Sequence, residues 1–331
     1  MTRWQRYVAF WNEKESPDAL ALLRITLGLA FAGNILEQMI RGDVIEFYAE
    51  IAHGGIFGFQ YNTSLYSLFH YVPTSRGWVW GVVLAQLLAS LTFTVGLFTR
   101  LSAIALFVTQ MTLFDRMTLF RFGADEVYRV ASYLMVLAPM GASFSLDAAW
   151  RGKGRAEVGK WARRLFMAQL AIIYVRTGVV KLGSTWSIMG DWAAVYLSVN
   201  LPGIARWPGD WAASRLVYPM TQLGTFVFSW WEFTFFLLPI NQFLRRKPAQ
   251  KRARKQFVRR ALARFDLRPL YLGLGMCMHL GIFISMDIGL FAIVMWSLYP
   301  AYILPQEARR ALTVLFGWVR SPRRDEVPAE G

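Results

Sequence analysis

Eight apolar stretches recur along this chain of 331 residues, at about 19–36, 78–98, 101–119, 127–143, 165–183, 217–243, 270–284 and 288–304. Each is near the ~20 residues that a helix needs to cross a bilayer, which leaves few folds open. Lipid offers no partner to a backbone N–H or C=O, so a crossing segment closes its own hydrogen bonds as a helix. Composition agrees: 55% of residues are hydrophobic and 17% charged, against about 25% charged in a soluble domain. The reading is an all-α, polytopic membrane bundle of about eight transmembrane helices.

The charges sort by side. With the N-terminus in the cytoplasm, the segments 1–18, 144–164, 244–269 and 305–331 are inner and hold about 25 of the 36 Lys and Arg. The outer loops 37–77, 115–126, 184–216 and 285–287 hold about six basic residues and about ten acids. Both termini are therefore expected inside: 1–18 as an amphipathic cytoplasmic segment, 19–304 as the membrane domain, 305–331 as a basic, disordered tail. The start of the chain lacks the apolar core and small-residue cleavage site of a signal peptide. Arg245 to Arg268, the most basic stretch, reads as topology setting and attraction to anionic inner-leaflet lipid. The formal charge of +15 thus points to a lipid bilayer and not to nucleic acid. Loop 37–77, rich in Gly and aromatic residues, is expected to fold back as short amphipathic helices. A single cysteine, Cys277, excludes an internal disulfide and a cysteine-based cluster. His53 and His70 have no carboxylate at ligand spacing, so no metal is expected.

Charges at membrane depth are costly unless paired, and these carry the functional question. They are Arg24, Arg129, Arg176, Lys181, Glu232 and Asp115. An interhelical ion pair of Arg176 or Arg129 with Glu232 is the structural expectation. Lys181 ends the fifth stretch, in "YVRTGVVKLGSTWSIMGDW" (Tyr174–Trp192). It either snorkels to the interface or is a desolvated amine able to act as base or nucleophile. Spacing does not choose between the two. It does place Arg176 about 140° from Lys181 around a helix, on a different face. Asp125 and Glu126 begin the fourth stretch, as helix N-terminal charges or as outer-face functional acids. His279, inside the seventh stretch, is either a core histidine bonded to a neighbouring helix or a ligand contact.

Five motifs then occur in order: "SPDALALLRITLGL" (16–29), "VGLFTRLSAIAL" (95–106), "ADEVYRVASYLMVLAPMGASFSLDAAW" (124–150), "QLAIIYVRTGVVKLGSTWSIMGDWAAVYL" (169–197) and "HLGIFISMDIGLFAIVMWSLYPAYI" (279–303). Together they resemble the HTTM, or vitamin K-dependent γ-carboxylase-like, domain over most of 16–304. The resemblance implies an eight-helix domain with extracytoplasmic chemistry, here in a bacterial inner membrane. That chemistry uses a reduced vitamin K or menaquinone with O₂ and CO₂. The family's Tyr-x-x-x-Gly-x-x-Lys-Leu context maps onto "YVRTGVVKL" and makes Lys181 the base that activates the hydroquinone. Asp125 and Glu126 become further catalytic candidates, and Arg176, Trp186 and His279 candidate contacts to the cofactor.

The chain also departs from the animal carboxylases. Val180 stands where they carry a second Lys, and the stretch Ala124–Glu126 has no His. About 27 residues follow the eighth stretch, too few for a lumenal substrate region. The acceptor is therefore open: a secreted peptide, a small molecule or a lipid. The alternative reading is a non-carboxylating membrane factor that binds or matures a secreted peptide or lipid client. Oligomeric state is not readable from the sequence.

Overall fold

A computed structural model describes residues 2–56, 67–117, 122–152, 157–207, 211–245 and 264–316. Part of the long loop (57–66), most of the basic loop (246–263) and the end of the tail (317–331) lie outside the described residues, with the expectations placed on them. The helices run α1 (Arg3–Asn12), α2 (Asp18–Arg41), α3 (Asp43–Tyr48), α4 (Arg76–Val95), α5 (Thr99–Arg116), α6 (Gly123–Leu137) and α7 (Leu146–Trp150). They continue as α8 (Trp161–Val180), α9 (Ala194–Val199), α10 (Val217–Thr234), α11 (Leu237–Arg245), α12 (Arg268–Ser285), α13 (Phe291–Leu298) and α14 (Pro305–Phe316). Each apolar stretch is helical over most of its described length. By length and hydropathy α2 and α4 suffice to cross a membrane, and α10 with α11, bent by 50°, passes the same test only as a pair, with the form of a broken span or a re-entrant loop. α6 has 15 residues, and α8 carries Arg163, Arg164 and Arg176, so neither matches the pattern of an uninterrupted apolar span.

The chain divides into two compact units. The first comprises Met1–Arg164 and Ser297–Gly331. α2 is its centre, with an acid in the first turn and a base in the last, the order that the helix dipole favours. Leu20, Leu23, Leu27, Phe31 and Ile35 of α2 are buried, and the helix packs against α4, which packs in turn against α5, and α5 against α6. Part of loop 37–77 folds as expected: α3 lays Val44 and Tyr48 against Val79, Val83 and Leu113, and Phe69 joins them. Two short strands, β1 (Lys14–Glu15) and β2 (Val158–Gly159), pair antiparallel and bring Glu15 to the start of α8. There Arg163, itself buried, donates to both Glu15 oxygens at 2.7 Å and to the carbonyl of Ala301 at 3.0 Å.

Arg24 is the main polar group inside this unit, with no exposed surface. Its guanidinium donates to the carbonyls of Thr94 (3.3 Å), Met140 (3.1 Å), Ser143 (3.2 Å) and Phe144. These carbonyls lie at the end of α4 and in the turn after α6, where helix geometry supplies no N–H partners. Gly96 lets the backbone come this close. Its φ is +73°, and a Cβ there would meet Ser145 Cβ at 2.4 Å and Arg24 Cζ at 2.9 Å. Asp147 completes the junction by accepting from Phe98 N (2.8 Å), Thr99 N (2.8 Å) and Thr99 Oγ1 (2.6 Å), so it caps α5 from another element. Burial pushes the Asp147 carboxyl up, but these hydrogen bonds outweigh it and hold it below the ordinary carboxylate range.

The second unit is Leu165–Trp296. Its centre is aromatic: Tyr174 lies 4.6 Å from Trp231 and 4.4 Å from Phe235, ring centre to ring centre, and Phe235 lies 5.3 Å from Trp231 and 5.7 Å from Tyr271. The indole N–H of Trp231 is satisfied by the Tyr271 carbonyl at 3.0 Å, as a buried indole requires.

Candidate active site

Three residues of α8 and the turn after it, Tyr174, Gly178 and Lys181, share one face, because seven residues complete almost two helical turns. That face meets α10 at Trp231, Glu232 and Phe233. Gly178 sets the distance: a Cβ there would lie 2.5 Å from Phe233 N and 2.8 Å from its Cα. Any side chain would wedge the helices apart. With them this close, Lys181 Nζ reaches both oxygens of Glu232, at 2.7 and 2.6 Å. The Glu232 side chain is 4% exposed and that of Lys181 23%, so the carboxylate is enclosed while the amine keeps an open side. On it stands Trp186, its ring centre 4.7 Å from Nζ, within range of a cation–π contact. A 3₁₀ turn, Ser184–Trp186, presents this indole. Val179, Val180, Leu182, Ile188 and Met189, close to Lys181 in sequence, carry exposed apolar side chains.

One level further along α8, the Tyr174 hydroxyl and His279 Nε2 share a hydrogen bond of 2.8 Å. His279 is 1% exposed and its ring stands 5.3 Å from Phe291. Its Nδ1 has no hydrogen-bond partner among the described residues.

The expected partners of Glu232 are therefore corrected. Arg129 bonds Glu126 one turn away on α6, at 2.6 Å, and Arg176 is exposed on α8. Gly178 explains the outcome, because the close approach of α8 and α10 falls on the Lys181 face and Arg176 points elsewhere. Lys181, expected either to snorkel or to be a desolvated amine, is bonded to Glu232. His279 takes the core-histidine alternative, bonded to a neighbouring helix. The second unit thus brings together Lys181, Trp186 and His279, while Asp125 and Glu126 belong to the first. Asp125 accepts from Phe122 N at 2.9 Å, as an N-terminal helix acid does. The role of Tyr174 was missed, although its seven-residue spacing to Lys181 was legible. Among the described residues no group of three or more His, Cys, Asp or Glu is placed to hold a metal ion.

The family described as HTTM domain matches residues 12–245, a range that contains Tyr174, Gly178, Lys181 and Glu232. No curated protein and no solved structure matches the chain. The apolar helices, the ordered motifs and this match over most of the length agree, and the chain belongs to the HTTM domain family.

Proposed function

We propose that this HTTM protein is a quinol-linked acid–base enzyme of the γ-carboxylase-like kind, with the Lys181–Glu232 pair as its proton-handling centre. The reading takes all eight apolar stretches as membrane-crossing, both termini as cytoplasmic and Lys181 as facing the extracytoplasmic side of a bacterial inner membrane. One observation carries it: a buried carboxylate holds a partly open amine through both oxygens, beside an aromatic face. Structural ion pairs in a bundle have no need of the open side or the indole.

The surroundings suit a flat, lipid-borne ring. Exposed Val179, Leu182, Ile188 and Met189 offer an apolar approach from the bilayer, and Trp186 offers a surface for stacking. When bound, a reduced naphthoquinone would supply electrons to O₂ and, by its oxidation, the base that removes a carbon-bound proton from an acceptor able to capture CO₂. The chain's part is the first proton. Lys181 Nζ passes a proton along its 2.6 Å contact to Glu232 and, as a free amine, accepts the phenolic proton of the ligand. Glu232 then holds one proton and Lys181 the other, so charge moves no further than one hydrogen bond in a site of low dielectric. Gly178 fixes this geometry, and Trp186 keeps water from the open side of the amine.

Purified protein with reduced menaquinone, O₂ and labelled bicarbonate tests the reading. Wild type is expected to form quinone epoxide, with Lys181→Ala slower by about 10²–10⁴-fold, the usual worth of a general base. Equal epoxide from both proteins would reduce the pair to an interhelical brace and favour the non-carboxylating client factor.

A further inference from the structure

The turn that carries Trp186 is held to α10 at a second point, beyond the Lys181–Glu232 pair. It closes as two successive 3₁₀ turns, Ser184–Trp186 and Ile188–Gly190. Gly190 packs the second onto the first: a Cβ there would lie 2.5 Å from the Ser184 carbonyl oxygen and 2.8 Å from Thr185 Cα. Trp192 N also reaches back to the Ser187 carbonyl at 3.0 Å. The chain then leaves through two residues in the left-handed region, Asp191 at φ +57° and Trp192 at φ +52°. Neither is glycine, and a bulky side chain rarely takes this backbone. Such a conformation persists where surrounding contacts over-determine it.

One face of α10 supplies those contacts, through Tyr218, Gln222 and Phe226 at four-residue spacing. The Tyr218 hydroxyl donates to Asp191 Oδ2 at 2.6 Å, and Gln222 Nε2 donates to the Asp191 carbonyl at 2.9 Å. Phe226 stands edge-on to Trp192, ring centres 5.1 Å apart. The segment is therefore fastened to α10 at both ends, by Lys181 on Glu232 and by Asp191 on Tyr218, and Trp186 lies between the two points. Its ring centre is 4.7 Å from Lys181 Nζ, and the packed residues Ser187–Gly190 connect it to Asp191. A plain connection between α8 and α9 has no need of a left-handed Trp. We propose that Asp191 is a positioning residue of the Lys181 site: its clamp on Tyr218 sets the Trp186 ring over the open side of the amine. The inference rests on the proposed enzymatic reading only for its effect on turnover.

The test is acylation of Lys181 in the purified full chain in detergent, with N-hydroxysuccinimidyl acetate as the probe and the rate at that residue read by mass spectrometry. Trp186→Ala, which uncovers the amine, should raise the rate. Tyr218→Phe and Asp191→Gly should raise it about five- to tenfold, the weight of one hydrogen bond in a local equilibrium. Glycine accepts the left-handed backbone, so Asp191→Gly removes the carboxylate without adding strain. Asp191→Asn, which keeps an acceptor for Tyr218, should restore most of the protection. In a Trp186→Ala background Tyr218→Phe should add nothing. Thermal midpoints identify any variant that loosens throughout, and Tyr218→Phe, which removes a single oxygen, then carries the test. Unchanged acylation in Tyr218→Phe and Asp191→Gly would overturn the proposal. So would Trp186→Ala without effect, or a rise that persists in full without Trp186. Menaquinol epoxidation should follow the same order, with a larger rise in KM than fall in kcat. Acylation needs no turnover: the expected order in a protein that forms no epoxide would keep the clamp and remove the enzymatic reading, and unchanged acylation beside epoxide formation would do the reverse.

Discussion

Arg24 and Lys181 are both cations within apolar helical sequence, and the two units use them in opposite ways. Arg24 has no exposed surface and spends its donors on four backbone carbonyls. None of those acceptors can take a proton, so the group only fastens α2 to the end of α4 and to the turn after α6. Lys181 keeps 23% of its side chain exposed and bonds a carboxylate, which can take a proton. Depth and charge are therefore poor guides to chemistry. The identity of the partner and an open side distinguish a brace from a reactive pair.

The largest expected effect tests the brace. Arg24→Met should strip the four carbonyls and destabilise the first unit by about 4 kcal/mol or more, at roughly 1–3 kcal/mol for each orphaned group. Arg24→Lys should recover little of it, because one ammonium cannot span the guanidinium fork. Denaturant unfolding in detergent measures both. Next, Lys181→Met alone should cost about 3 kcal/mol by leaving Glu232 buried without its cation, and the double variant with Glu232→Leu should regain most of that stability. Epoxide formation should stay lost in the double variant; a stable and active double variant would make Lys181 another Arg24.

Gly178→Val addresses the spacing. Its branched side chain should force α8 from α10 at a cost of about 1–3 kcal/mol and abolish turnover with Lys181 and Glu232 both intact. The smallest effect concerns Asp147. Its folded carboxyl binds a proton more weakly than the unfolded one, so its stabilisation is complete above the unfolded value of 3.8. It is lost as pH falls through the lower folded value. Asp147→Asn should cost about 1 kcal/mol near neutral pH and flatten the acid limb of a stability–pH profile below about pH 4.

The sequence made the helices legible because apolar run length is a direct consequence of what lipid permits. It also exposed the motifs, and the structure brings residues from three of them together. Arg24 from the first, Gly96 from the second, and Ser143, Phe144 and Asp147 from the third are parts of one junction. Lys181 was legible through its Gly-x-x-Lys-Leu setting, but its partner was not. Glu232 lies 51 residues away, and which cation it meets depends on the rotation of α8 that Gly178 fixes.

The central claim is that Lys181 acts as a base and not as a brace. Chemical rescue measures this most directly: Lys181→Ala protein, shown folded by its unfolding midpoint, is supplied with small alkylamines while menaquinol epoxidation is followed. The account predicts that activity returns in proportion to amine concentration and rises with pH as the free-base fraction grows, and that Arg24→Ala protein shows no such return. Full activity in Lys181→Ala without added amine, or folded protein that no amine restores, would contradict it.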